Sequence, residues 1–161
     1  MIQLQFIGGE DLSSRAIGWF SSGHLSHVDA VMPDGTLFGA RSDKVGGRPP
    51  GVQARAASYT NGVKRKIRFS ILTTPPEELQ FYGFLQKQAG RPYDYEAILG
   101  FMFARDWRET DSWICSELIA AALEKAQIVP PLYLAANKIT PVALALALSV
   151  LVEPIEVSGR A

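Results

Sequence analysis

The sequence predicts an α+β fold in which an antiparallel sheet packs against helices. Two observations predict it. MIQLQF and SHVDAVM…TLFGA alternate apolar and polar residues with a period of two, whereas CSELIAAALEKA repeats its apolar residues with a helical period. At 161 residues and 47% hydrophobic the chain suits one domain, 1–161, with a substantial core.

Taken in order, Ile2, Leu4 and Phe6 alternate with Gln3 and Gln5. That is a strand pattern rather than a signal peptide, so the expected location is the cytoplasm, or delivery by a phage particle. His24 falls in the loop-like SSGHLS as a solvated or capping residue. SHVDAVM and TLFGA then flank the turn residues Pro33, Asp34 and Gly35, which predicts a β-hairpin. Alternation places Val28, Ala30 and Met32 on one face of its first strand and His27, Asp29 and Val31 on the other.

The segment 42–62 is rich in Gly, Pro and Ser and lacks a sustained period, which predicts a long loop or loose crossover, either covering the cleft or running over the surface. VKRKIRF reads as a strand with Val63, Ile67 and Phe69 among exposed cations. TTPPEEL begins a helix with Thr74 as cap, Pro75 at the first position and Glu77 completing a capping box, and the helix ends at Gly90. Its expected buried stripe is Leu79, Tyr82, Leu85 and Ala89. YDYEAILGFMF predicts a second helix.

A further helix carries Ile114, Leu118, Ile119, Leu123 and Ala126 on one stripe, with Asp111 or Ser112 as cap. The stretch 141–152, PVALALALSVLV, is shorter than the ~20 residues needed to span a bilayer and is expected to be a core helix running into a terminal strand. No stable membrane insertion is expected.

Chemistry concentrates on Cys115, the sole cysteine. In the first turn of a helix, unpaired backbone N–H groups and the positive end of the dipole favour thiolate over thiol. A strand histidine, His27, is the candidate base. The competing reading of a lone cysteine is a small buried hydrophobe. One cysteine excludes an internal disulfide, and two histidines without a second ligand cluster argue against a structural metal site. No cofactor is implied. Sixteen basic and sixteen acidic side chains cancel, so nucleic acid is not an expected partner.

SHV at 26–28, YD at 93–94, WICSEL at 113–118 and ITP at 139–141, in that order, resemble the permuted papain-like cysteine hydrolases typified by YiiX, relatives of the NlpC-type cell-wall peptidases. In that branch the histidine strand precedes the cysteine helix. The resemblance implies a circularly permuted papain-like (NlpC-type) fold. It also implies a Cys115–His27 pair acting through an acyl-enzyme on a peptide, amide, ester or lipid-like substrate.

A third polar residue to orient the histidine is implied as well, and the nearest register on the next strand falls on Gly39, which cannot serve. Asp29, Ser42, Asp43, a water or a backbone carbonyl are the candidate replacements, with Asp29 awkward because residues i and i+2 of a strand point in parallel. The gap leaves two alternatives open, a weak or inactive binding module on the same fold, possibly virion-associated, and an acyltransferase.

Overall fold

The computed structural model describes residues 1–8, 25–95, 112–131 and 139–157. His24, Asp111 and most of the helix expected over 93–103 lie outside them. Among the described residues six strands form one antiparallel sheet: β1 (Ile2–Gly8), β2 (His27–Val31), β3 (Leu37–Arg41), β4 (Gly51–Arg55), β5 (Arg65–Ile71) and β6 (Ile155–Glu156), in the spatial order β4-β3-β2-β1-β5-β6. Three α-helices are described: α1 (Pro75–Lys87), α2 (Cys115–Lys125) and α3 (Pro141–Ser149).

The sheet sorts its faces as alternation requires. Leu4 pairs with Ala30 on one side and Phe69 on the other, and Ala30 pairs with Phe38, so these small and large apolar side chains share a face. That face, with Phe6, Val28, Ala40 and Val52, is buried in one cluster with Leu118, Ile119, Ala122 and Leu123 of α2. The β2–β3 turn closes with Met32 N–H donating to Thr36 O at 2.8 Å, and Gly35 supplies its positive φ of 82°.

The opposite face is polar yet buried. Gln5 accepts from Arg68 Nη2 at 2.6 Å and donates to Thr60 Oγ1 at 3.3 Å. Asp29 and Arg55 are buried there too. The cover is the segment 42–62, where the sequence predicts a loop or loose crossover. Instead it contains β4 and a 3₁₀ turn, Ala57–Thr60. Arg55 is the physical reason: its guanidinium donates to the carbonyls of Gly39, Gln53, Pro49 and Gly51 at 3.0–3.3 Å, tying β4 to β3. A five-residue strand held this way leaves no period for pattern reading to detect.

Helix α1 starts with the expected capping box, Thr74 N–H donating to Glu77 Oε2 at 2.6 Å. Its buried stripe is Phe81 and Leu85 with Tyr82 partly covered, while Leu79 and Ala89 are exposed. Turning Phe81 inward hides a large ring in place of the smaller Leu79. Helix α2 buries the stripe read from the sequence, but neither Asp111 nor Ser112 is its cap: the N-cap is Ile114, which offers no side-chain acceptor. In α3 Thr140 Oγ1 accepts from Ala143 N–H at 3.1 Å, and only one side is core, since Leu144 and Leu148 are buried and Leu146 is exposed. No helix among the described residues is long and apolar enough to cross a membrane.

Candidate active site

Cys115 is the first residue of α2, so its thiol lies beside backbone N–H groups that no side chain caps. His27 is the first residue of β2, the strand on which α2 packs. The two side chains meet. His27 acts on the Cys115 sulfur through charge and side-chain hydrogen bonding, and the backbone N–H of Val28 also favours the thiolate. Both residues are buried.

Asp29 completes the constellation. His27 Nε2 lies 2.9 Å from Asp29 Oδ1, an ion pair off the line of an ideal hydrogen bond, which makes its attraction chiefly Coulombic. The parallel direction of side chains i and i+2 is no obstacle: their roots stand ~6.6 Å apart, and an imidazole is long enough to lean across. Of the other candidates, Asp43 is bound by Arg41, with Nε–Oδ1 at 2.7 Å and Nη2–Oδ2 at 2.9 Å, and Ser42 accepts through its carbonyl from the Tyr95 hydroxyl at 2.6 Å. Neither orients the imidazole.

Gly39 acquires a different meaning in three dimensions. Continuing the β2–β3 register sets it beside Asp29, and a Cβ there would lie 2.0 Å from Asp29 Oδ1. The missing side chain is space that the carboxylate occupies. The carboxylate that faces the imidazole stands on the histidine's own strand.

Electrostatics follow from this packing. Burial works against the charged form of His27, but Asp29 and Cys115 outweigh it and raise its pKa to about 9. Burial likewise pushes the Cys115 thiol up, yet His27 and the Val28 N–H bring it below its ordinary value. Asp29, which burial would raise, is held below the usual carboxylate range by His27, Tyr59 and Arg41. Both shifts favour the thiolate–imidazolium form of the pair over the neutral thiol and imidazole.

Two further residues reach the site. Tyr93 is buried beside it, and burial together with the Cys115 charge raises its phenol pKa. Its backbone forms a parallel bridge with Trp113, with Asp94 N–H donating to Trp113 O at 3.1 Å, so the YD dipeptide holds the segment that enters α2. Tyr59, from the 3₁₀ turn, donates its hydroxyl to Asp29 Oδ2. Nothing local in the sequence marks Tyr59, because its role depends on how 42–62 folds over the sheet.

No family model matches the chain, and no curated protein does. Among solved structures, it is similar to metalloprotein YiiX of the DUF1105 group from Escherichia coli O157:H7. The TM-score is 0.63 at 14% identity, over 99% of this chain and 96% of the other. Among the described residues no three His, Cys, Asp or Glu side chains are grouped to hold a metal ion. What this chain has in common with YiiX, at that identity, is its α+β fold.

Proposed function

We propose that this protein is a cysteine-nucleophile hydrolase of amide or ester bonds, built on a circularly permuted papain-like, NlpC-type version of its α+β fold. The observation that carries the proposal is the buried Cys115–His27–Asp29 array at the open start of α2. A cysteine that merely fills the core needs no imidazole bonded to its sulfur and no carboxylate behind that imidazole.

The chemistry follows from the charges. The Cys115 thiolate attacks the substrate carbonyl carbon, and the carbonyl π electrons move to oxygen, where uncapped N–H groups at the start of α2 stabilise the oxyanion. The His27 imidazolium gives its proton to the departing amine or alcohol as the C–N or C–O bond breaks, leaving a thioester. Water, deprotonated by the now neutral imidazole, then attacks the thioester, releasing the acid and restoring thiolate and imidazolium. Asp29 holds the ring in register and stabilises its positive charge throughout. Small peptides, amides and lipid-like amides are the substrate classes the resemblance suggests. Acyl transfer would use the same thioester with another acceptor. The departure at Gly39 ceases to favour an inactive module once Asp29 fills that space.

The test has two parts. Iodoacetamide should alkylate Cys115 with a midpoint well below the ~8.5 of a free thiol, and His27→Ala should move that midpoint upward. On a panel of peptide, lipid-amide and ester substrates, the natural protein should turn over at least one, and Cys115→Ser and His27→Ala should each abolish that turnover without adding to one another. A native thiol that reacts only after denaturation would refute the reading, as would a Ser variant as fast as the natural protein.

A further inference from the structure

We infer that Tyr59 is a positioning residue: its hydroxyl and the space left by Gly39 together hold the Asp29 carboxylate against His27, extending the site to a chain Tyr59–Asp29–His27–Cys115. The inference rests on the proposed Cys–His chemistry and adds a residue that neither the motifs nor the resemblance point to.

A carboxylate pinned through one oxygen still turns about its terminal torsion, which is broad and weakly restrained. Asp29 is pinned through both. Oδ1 faces His27 Nε2 at 2.9 Å, and Oδ2 accepts from Tyr59 Oη. The phenol is a durable donor because burial, then the Asp29 charge, raise its pKa and keep the proton in place.

Tyr59 is itself fixed. The Arg41 guanidinium stacks 5.2 Å from its ring centroid, and Arg41 is locked to Asp43 by a forked pair. The 3₁₀ turn that carries Tyr59 is closed by Thr60 Oγ1 donating to Ala57 O at 2.9 Å, and Gln5 of β1 donates to that same hydroxyl. Beneath it, Arg55 ties β4 to the Gly39 carbonyl. Gly39 is the complementary half of the arrangement, since even a methyl group there would meet Asp29 Oδ1 at 2.0 Å. Among the described residues the charged and titratable groups around the array are Cys115 from α2, Arg41 on β3, Asp43 beyond it, Arg55 on β4, Tyr93 before α2 and Tyr59 itself.

Two variants approach Asp29 from opposite sides. Tyr59→Phe removes only the hydroxyl, and Gly39→Ala fills the space. With only two histidines in the chain, ¹⁵N-histidine NMR resolves the His27 ring in the natural protein and in each variant, and iodoacetamide reports the thiolate.

In both variants the freed or displaced carboxylate should let the His27 pKa fall from about 9 toward 6.5 by one unit or more, tenfold in the protonation constant, with the alkylation midpoint rising. On a substrate found by the panel, kcat should fall by ~10–100-fold with KM little changed, the scale seen when the outer partner of an oriented histidine is removed. If the hydroxyl only drew charge from the carboxylate, its loss would raise the His27 pKa. A raised or unchanged value in Tyr59→Phe overturns the inference, and if that variant does not fold, an unchanged value in Gly39→Ala does so. By contrast, a His27 pKa near 6.5 with an ordinary thiol in the natural protein refutes the Cys–His reading itself. The two failures are therefore distinct.

Discussion

Asp29 shows how much one carboxylate decides. Its charge, with that of Cys115, is what carries His27 against the pull of burial to a pKa of about 9. Asp29→Asn is nearly isosteric but removes that charge, and its amide can present N–H to the ring. The expected outcome is a fall in the His27 pKa, an upward move of the Cys115 alkylation midpoint and a loss of ~10²–10⁴-fold in kcat, read by NMR and by turnover. Retained activity in a folded Asn variant would mean that Asp29 is a bystander. Cys115 and His27 were apparent from sequence as a helix-start thiol and a strand imidazole. The role of Asp29 was not, because strand periodicity gives a side chain's direction but not its length or the space beside it. Gly39 read as a missing part for the same reason.

At the scale of elements, burial separates residues that look alike in sequence. Leu118 in α2 is 0% exposed, whereas Leu146 in α3 is 66% exposed. Leu118→Ala should cost ~2–5 kcal/mol of unfolding free energy, because it removes buried methyl groups and leaves a cavity between α2 and the sheet. Leu146→Ala should stay within ~0.5 kcal/mol, as usual for a surface change. Chemical denaturation of both variants measures the contrast, and equal losses would mean that α3 is covered on its outer side as well. The periodicity of CSELIAAALEKA predicts the α2 stripe correctly because the small residues Ala120, Ala121 and Ala122 leave the large ones to define a face. PVALALALSV has no polar side to contrast with its apolar one, so pattern alone assigns all of it to the core, and only packing shows which side is covered.

For the whole molecule, the Cys–His pair makes a specific mark on stability against pH. His27, with a raised native pKa, contributes stability that is present below ~6.5 and lost as pH rises through about 9. Cys115, with a lowered one, contributes stability that is gained as pH rises toward the ordinary thiol value. Between ~6.5 and ~8.5 a folded pair in the proposed imidazolium–thiolate form holds one proton, and the unfolded pair holds one as thiol. The two slopes therefore offset, and unfolding free energy should be nearly flat with pH across that window. In Cys115→Ser the offset disappears: His27, still raised by Asp29, binds a proton that the unfolded chain releases. Stability should then fall above pH ~6.5 at up to ~1.4 kcal/mol per unit. Urea titrations of both proteins over pH 6–9 test this, and parallel curves would mean that the folded pair is not ionised.

By itself the sequence determined the α+β class, the β2–β3 hairpin, the capping box of α1, the buried stripe of α2 and the two residues that meet as thiol and imidazole. All but the last are written in contacts between residues near one another in the chain, where periodicity, caps and turns act; the pairing of Cys115 with His27 came from the order of the motifs in the resemblance. Only the tertiary structure decided that 42–62 forms a strand and a 3₁₀ turn, that Tyr59 reaches Asp29 across 30 positions, and that Gly39 is space for a carboxylate. Those outcomes depend on lateral strand register and on which segment covers the polar face of the sheet, and neither leaves a periodic trace along the chain.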